Sequence, residues 1–238
     1  MALFALSDLH LSLGTDKPMD VFGPIWSDHV QKIYLNWTKK VSGDDLVIIG
    51  GDVSWATYLN EAKNDFDFVN KLPGRKLIIK GNHDYWWDSI TKLNNFAQQN
   101  EYSSISFLHN SAYIYNEYSI AGTRGWILPS ADAFGTEDKK IYERELIRLS
   151  LSLDMASKLE DKSKSYTRVA VLHFPPVSAD GIVDDGIMSI LSSHGVNKCI
   201  YGHLHGNGIK TAFTGSIHGI DFMLTSADYL GFDPMKIT

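Results

Sequence analysis

Short apolar runs punctuate the chain at residues 3–6, 46–49, 77–79, 169–172 and 199–201. Their length and their branched or aromatic side chains predict buried strands rather than helices. Between them the hydrophobic period lengthens. Residues 28–40 carry Val30, Ile33, Tyr34 and Trp37 at i, i+3, i+4, i+7 spacing, and 60–72 carry Ala62, Phe66 and Val69. A shorter helix is predicted over 89–99 and a long amphipathic, charged one over 141–159, while Ile187, Ile190 and Leu191 mark another before Gly195. Strands alternating with helices predict an α/β fold.

Two stretches break the alternation. Residues 105–108, 112–115 and 118–121 are consecutive strand-like runs joined by polar turns, which predicts a meander or hairpin. Residues 208–213 and 220–225 form a second strand-like pair. The sheets are therefore expected to be mixed, part parallel and part antiparallel. Residues 158–164 read as a solvated charged loop. No repeat, low-complexity segment or linker interrupts the pattern, so residues 1–238 are expected to form one domain.

The residues with chemistry to offer stand directly after the apolar runs. Phe4-Ala5-Leu6 leads into Ser7-Asp8-Leu9-His10, and Val47-Ile48-Ile49 into Gly50-Gly51-Asp52. Leu77-Ile78-Ile79 leads into Lys80-Gly81-Asn82-His83-Asp84. The run ending at Leu172 is followed by His173, and Cys199-Ile200-Tyr201 by Gly202-His203-Leu204-His205. Sites in α/β sheets form outside the carboxyl ends of strands, where residues distant in sequence converge. Glycines at 50, 51, 81 and 202 allow tight turns where the runs stop.

The donors in this set are oxygen and nitrogen, with no thiolate, which suits Mn, Fe, Zn, Co or Ni. They are too many for one cation and suit a pair about 3.5–4 Å apart, bridged by a carboxylate. Taken singly, an aspartate after a strand is a turn or cap residue, and a lone histidine a satisfied polar group. The recurrence at five successive strand ends is the feature that points to a shared site. His29, His109, His194 and His218 lack that setting and read as surface or core residues.

Composition narrows the partners. With 22 Lys plus Arg against 28 Asp plus Glu, the net charge is −6 and no basic block stands out, which disfavours a nucleic-acid partner. No apolar stretch is long enough for a membrane span. The N-terminus has neither a basic region nor a signal-length apolar run. The one cysteine, Cys199, lies in an apolar run and reads as a buried hydrophobe in a reducing, cytoplasmic setting.

The blocks Asp8-Leu9-His10, Gly51-Asp52, Gly81-Asn82-His83-Asp84, His173 and Gly202-His203-Leu204-His205 together resemble the calcineurin-like metallophosphoesterase superfamily, over residues 8–205. The resemblance implies a four-layer α/β/β/α sandwich with mixed sheets and a dinuclear metal-dependent phosphohydrolase. It implies that Asp8, His10 and His205 bind one metal, that Asn82, His173 and His203 bind the second, and that Asp52 bridges them. It further implies that His83 contacts the phosphate and protonates the leaving oxygen. In the implied reaction, hydroxide formed on the metals at neutral pH attacks phosphorus in line, and His83 is needed because an alkoxide leaves poorly unprotonated. Asp84 is read as a cap for the following helix in preference to an orienter of His83.

One block departs from part of the superfamily. Gly51-Asp52-Val53-Ser54-Trp55-Ala56 lacks the second aspartate and the arginine of the protein Ser/Thr phosphatases, so it resembles instead the smaller bacterial and archaeal phosphohydrolases. Arg124, in Gly122-Thr123-Arg124-Gly125-Trp126, is either a replacement phosphate contact or a salt-bridge residue. Trp55 and Tyr85 are candidates for a substrate-pocket wall; Tyr58, Trp86, Trp87 and Trp126 read more readily as packing residues. The loop 175–185, with Asp180, Asp184 and Asp185, is expected to border the cleft and to disfavour a highly anionic substrate. The expected substrate is a small-molecule or nucleotide phosphate ester, mono- or diester. A nuclease and a non-catalytic scaffold of the same fold stay open as alternatives.

Overall fold

A computed structural model describes residues 1–238, in two compact units. The first comprises Met1–Phe107 with Thr225–Thr238, the second Leu108–Leu224.

The first unit is built on strands β1 (Leu3–Ala5), β2 (Leu46–Ile49), β3 (Arg75–Ile78), β4 (Ile105–Phe107) and β11 (Met235–Ile237). They order as β11-β1-β2-β3-β4, with β11 antiparallel to β1 and the rest parallel. Every residue of β1 and β2 is buried, which is what a parallel strand covered on both faces requires. Helices α1 (His29–Lys40), α2 (Lys63–Lys71) and α3 (Ile90–Gln99) contribute Ile33 and Trp37, Phe66 and Val69, and Leu93 and Ala97 to one core. Phe66 centres it, with edge contacts to Trp86 at 5.0 Å and Phe96 at 5.7 Å. The register sets Ala5 beside Ile48 and Ile48 beside Leu77, so the three strands run out at one level. Their polar tips, residues 7–10, 50–54 and 80–84, therefore emerge at one edge of the sheet.

The second unit holds β5 (Ala112–Tyr115), β6 (Tyr118–Thr123), β7 (Thr167–Leu172), β8 (Lys198–Tyr201), β9 (Gly215–Ile217) and β10 (Ile220–Leu224), with α4 (Thr136–Leu159) and α5 (Asp185–Ser193). Its order is β5-β6-β7-β8-β10-β9, parallel in the middle and antiparallel at both edges. Leu149, Leu153 and Ala156 of α4 pack with Ile187 and Leu191 of α5 over the buried strands. Cys199 is fully buried among them, and burial pushes its thiol pKa up. No helix is long and apolar enough to cross a membrane.

The mixed sheets and the α/β character match expectation, and three expectations need correction. Residues 105–107 do not join a meander: β4 follows α3 and pairs parallel with β3, so only β5 and β6 form the hairpin. Residues 208–213 are not a strand; Gly206–Thr211 winds into a 3₁₀ helix, entered through Gly206 at φ +51°. Asp84 does not cap α3; the cap is Ser89, whose hydroxyl accepts from the Lys92 N–H. The short edge strands β9 and β11 had no apolar run to announce them.

Candidate metal centre

Three loops leave the first unit's sheet carrying Asp8 and His10, Asp52, and Asn82 and His83. They are laced together by main chain: Asp8 N–H donates to Gly51 C=O at 2.9 Å, His10 to Asp52 at 3.0 Å and Leu11 to Val53 at 2.9 Å. Asp8, His10 and Asp52 all sit in the left-handed region, at φ 61°, 45° and 52°. Non-glycine residues held there cost on the order of 1–3 kcal/mol each, a strain that collects at functional sites. All three are buried. His10 Nε2 lies 3.8 Å from Asp52 Oδ2, and a ligand atom of Asp8 lies within 4.8 Å of one on His10 and of one on Asp52. The 3.8 Å separation is too long for a hydrogen bond and about twice a metal–ligand bond of roughly 2.0–2.2 Å, so one ion fits both.

Two buried carboxylates outside the expected ligand set hold these loops in place. Asp84 Oδ2 accepts from Asp52 N–H at 2.8 Å and Gly81 N–H at 2.7 Å. Its Oδ1 accepts from Val53 N–H at 2.9 Å, Ser54 N–H at 3.4 Å and the Trp86 indole at 2.9 Å. Asp84 thus pins the β2 loop to the β3 loop. Asp65, on α2, accepts from Leu13 N–H at 2.7 Å and from the Ser54 hydroxyl, tying the β1 loop to the β2 loop. Burial raises the Asp65 pKa, opposed by those two hydrogen bonds. A side chain at residue 81 is excluded, because a Cβ there would stand 2.0 Å from Asp52 Oδ1. In the space so kept, Asp52 Oδ1 also accepts from His83 N–H at 2.8 Å.

An aromatic group surrounds the two histidines of this unit. Trp55 stacks on His10 at 5.1 Å and lies 4.6 Å from the His83 ring. Phe22 stacks on Trp55 at 6.3 Å. His83 is half-buried, and its Nδ1 is buried with no hydrogen-bond partner. Asn82 is half-buried beside it. Tyr85 is exposed, its ring 6.3 Å from His83, while Trp86 belongs to the core. His29 is buried against Trp26 and Phe232. Burial lowers its pKa, against hydrogen bonds to the backbone of His10 and Trp26, so it supports a candidate ligand's loop.

The second unit carries the other three histidines at the ends of β7 and β8. His173 is fully buried; its N–H and that of Phe174 both donate to Arg124 C=O, at 3.0 and 2.9 Å. His203 takes the left-handed backbone, φ 71°, and its ring lies 5.2 Å from His173 and 4.3 Å from Phe174. His205 precedes the 3₁₀ turn, and its C=O accepts from Gly208 N–H at 2.8 Å. The Arg124 guanidinium lies 4.4 Å from the Trp126 ring and 3.8 Å from the buried Glu145, a long ion pair on the carboxylate oxygen that Arg148 holds at 2.6 Å. Asp184 caps α5 through Ile187 N–H at 3.0 Å and accepts from the Tyr142 hydroxyl, so it is a packing residue.

The profile of the calcineurin-like phosphoesterases matches residues 1–207. The chain belongs to that family. It is accordingly a metal-dependent enzyme acting on phosphate esters. No curated protein matches the sequence. Among solved structures, phosphopantetheinyl hydrolase of Mycobacterium tuberculosis is similar at 14% identity and TM-score 0.58, over 99% of this chain and 95% of that one. A protein of unknown function from Aquifex aeolicus is similar at 14% identity and TM-score 0.51, over 99% and 95%. The inner membrane complex anchor GAP50 of Plasmodium is similar at 13% identity and TM-score 0.51, over 96% and 72%. At such identities the likeness concerns the fold.

The residues present fit a metal centre. The donors are carboxylate and imidazole, Asp8 and Asp52 are buried beside His10, and Gly81 leaves room for the Asp52 carboxylate that any side chain would displace.

Proposed function

We propose that the chain hydrolyses phosphate esters at a two-metal centre. Asp8, His10 and His205 hold one ion, Asn82, His173 and His203 the other, and Asp52 is shared. Two divalent ions, of Mn, Fe, Zn, Co or Ni character, would supply a water of lowered pKa and neutralise charge on the phosphoryl oxygens. The observation that carries this reading is the buried cluster of Asp8, His10 and Asp52, whose ligand atoms converge with His10 Nε2 at 3.8 Å from Asp52 Oδ2. The left-handed backbone at these three residues and at His203 agrees with it, though Asp28, Glu101, Asn110, Asn116, His218 and Phe232 share that conformation.

His83 is the proposed proton donor to the leaving oxygen. Support comes from its position: its main-chain N–H donates to Asp52 Oδ1 at 2.8 Å, and its ring Nδ1 has no protein partner. Trp55 and Tyr85 are proposed to flank the substrate, Trp55 through its stack on His10 and Tyr85 from the exposed side of His83. Arg124 as a phosphate contact is weakened by its pairing with Glu145. Both units are taken as one metallophosphoesterase domain, since the family match runs through each. The single, buried cysteine supports a cytoplasmic location.

The test is turnover of bis-p-nitrophenyl phosphate and p-nitrophenyl phosphate by purified protein with added Mn²⁺, beside metal analysis. The reading expects about two ions per chain, hydrolysis of at least one substrate, and its loss in His83→Ala with metal retained. Metal-loaded protein that turns over neither would favour the scaffold alternative, and faster cleavage of DNA than of either ester would favour a nuclease. A phosphopantetheinyl ester belongs in the substrate panel, since a structural neighbour bears that activity in its name.

A further inference from the structure

Within Leu108–Leu224 a cleft of about 450 Å³ opens beside His203. Its volume lies in the range of small-molecule sites, about 300–1,000 Å³. Leu128, Phe174, Val177 and Leu204 form its apolar wall. Phe174 is held rigidly there: its N–H is bonded to Arg124 C=O at 2.9 Å and its ring is wedged between Trp126 at 5.1 Å and His203 at 4.3 Å. Its polar side chains are the His203 imidazole, the hydroxyls of Ser130, Ser178 and Thr211, and the exposed carboxylates of Asp132 and Asp180. No lysine or arginine lines the cleft.

A cleft of this composition disfavours a second anionic group. Phosphate and carboxylate sites are built on cationic forks or converging N–H groups, and apart from His203, which the phosphohydrolase reading assigns to a metal, the ionisable side chains here are the carboxylates of Asp132 and Asp180. The cleft suits an apolar chain or ring, with hydroxyls placed for a few neutral polar groups. We infer that it receives the organic substituent of the phosphate ester: an arm apolar along its length, bearing neutral hydrogen-bonding groups and no second anionic charge. The inference rests on the phosphohydrolase reading, in which His203 holds a metal and the arm extends from the phosphate bound there. It sets polyphosphates and nucleic-acid strands outside the substrate class.

The experiment measures inhibition of bis-p-nitrophenyl phosphate turnover by four phosphates of graded arm: methyl, butyl, 4-phenylbutyl, and a butyl arm ending in a second phosphate. Each buried methylene is worth about fourfold in binding. The inhibition constant should fall thirtyfold or more from methyl to 4-phenylbutyl phosphate and rise again for the doubly anionic arm. Ser130→Trp and Ala179→Trp, both at exposed positions of the lining that folding tolerates, should each remove most of the gain from the arm. Inhibition independent of the arm, or a gain that survives both tryptophans, overturns the inference while leaving the hydrolase reading in place. Absence of turnover with every divalent metal overturns the hydrolase reading itself.

Discussion

Replacing Asp84 by asparagine changes one heavy atom in a fully buried side chain and should disable the loops that present the proposed ligands. Five N–H groups converge on this carboxylate, two on Oδ2 and three on Oδ1. An amide has one acceptor oxygen, so its NH₂ must face one of the two sets. The better orientation turns the NH₂ toward Asp52 N–H and Gly81 N–H, leaving two buried donors unsatisfied. Each costs about 1–3 kcal/mol, so the loss is about 2–6 kcal/mol, reduced by the desolvation cost no longer borne by a buried charge. We expect a net loss of about 3 kcal/mol. At roughly 2–4 °C per kcal/mol for a chain of this size, the melting temperature should fall by about 6–12 °C. Thermal and urea unfolding measure the loss; metal analysis and turnover measure its consequence at Asp52. Activity should fall further than stability explains, because the residues released are the Asp52 and Gly81 backbones. Asp88→Asn, at an exposed carboxylate paired with Lys92, is the control and should leave both readouts unmoved. An Asp84→Asn protein within about 1 kcal/mol of wild type, with its metal complement intact, would refute the role assigned to Asp84.

Other perturbations probe groups elsewhere in the molecule. Gly81→Ala, whose methyl would meet Asp52 Oδ1 at 2.0 Å, should lower kcat by about a hundredfold and weaken metal retention, whereas Gly43→Ala, with nothing within 4 Å, should behave as wild type. Lys76 is wholly buried on β3, donating to Leu72 C=O and, at 3.0 Å, to the Ser104 hydroxyl, and burial lowers its pKa from 10.5 to about 8. Between those values the unfolded chain binds more protons than the folded one, so this group's contribution to stability should rise with pH, by up to about 1.4 kcal/mol per pH unit. Urea unfolding of wild type and Lys76→Met across pH 7 to 10 should show that slope in wild type alone; parallel profiles would contradict it. Arg124→Ala should lower the melting temperature through loss of the Glu145 pair while metal content stays full, and a raised KM would restore Arg124 to the phosphate site.

Much of the architecture is written in local pattern. The runs at residues 46–49, 112–115, 169–172 and 199–201 are strands or lie within strands because burial on a sheet demands a short, continuous apolar stretch. The helix starting at His29 keeps part of its predicted face: Ile33 and Trp37 are buried and Val30 half-buried, as the 3.6-residue period requires, whereas Tyr34 is exposed. The edge strands β9 and β11 were illegible for the converse reason. An edge strand is defined by the strand it pairs with, and three residues carry no period.

The chemistry divides in the same way. The sequence by itself determined which residue types end the strands, and so the proposed ligand set of Asp8, His10, Asp52, Asn82, His173, His203 and His205. Only the tertiary structure decided what supports them. Asp84 looks like a helix cap and is instead the acceptor for five donors, because hydrogen-bond partners are set by where loops meet. Asp65 stands on the apolar face of its helix, between Ala62 and Phe66, a clue whose meaning emerges only when Leu13 and Ser54 fold over it. Spacing along a chain encodes which face a residue occupies, and nothing in it encodes which distant backbone will arrive at that face.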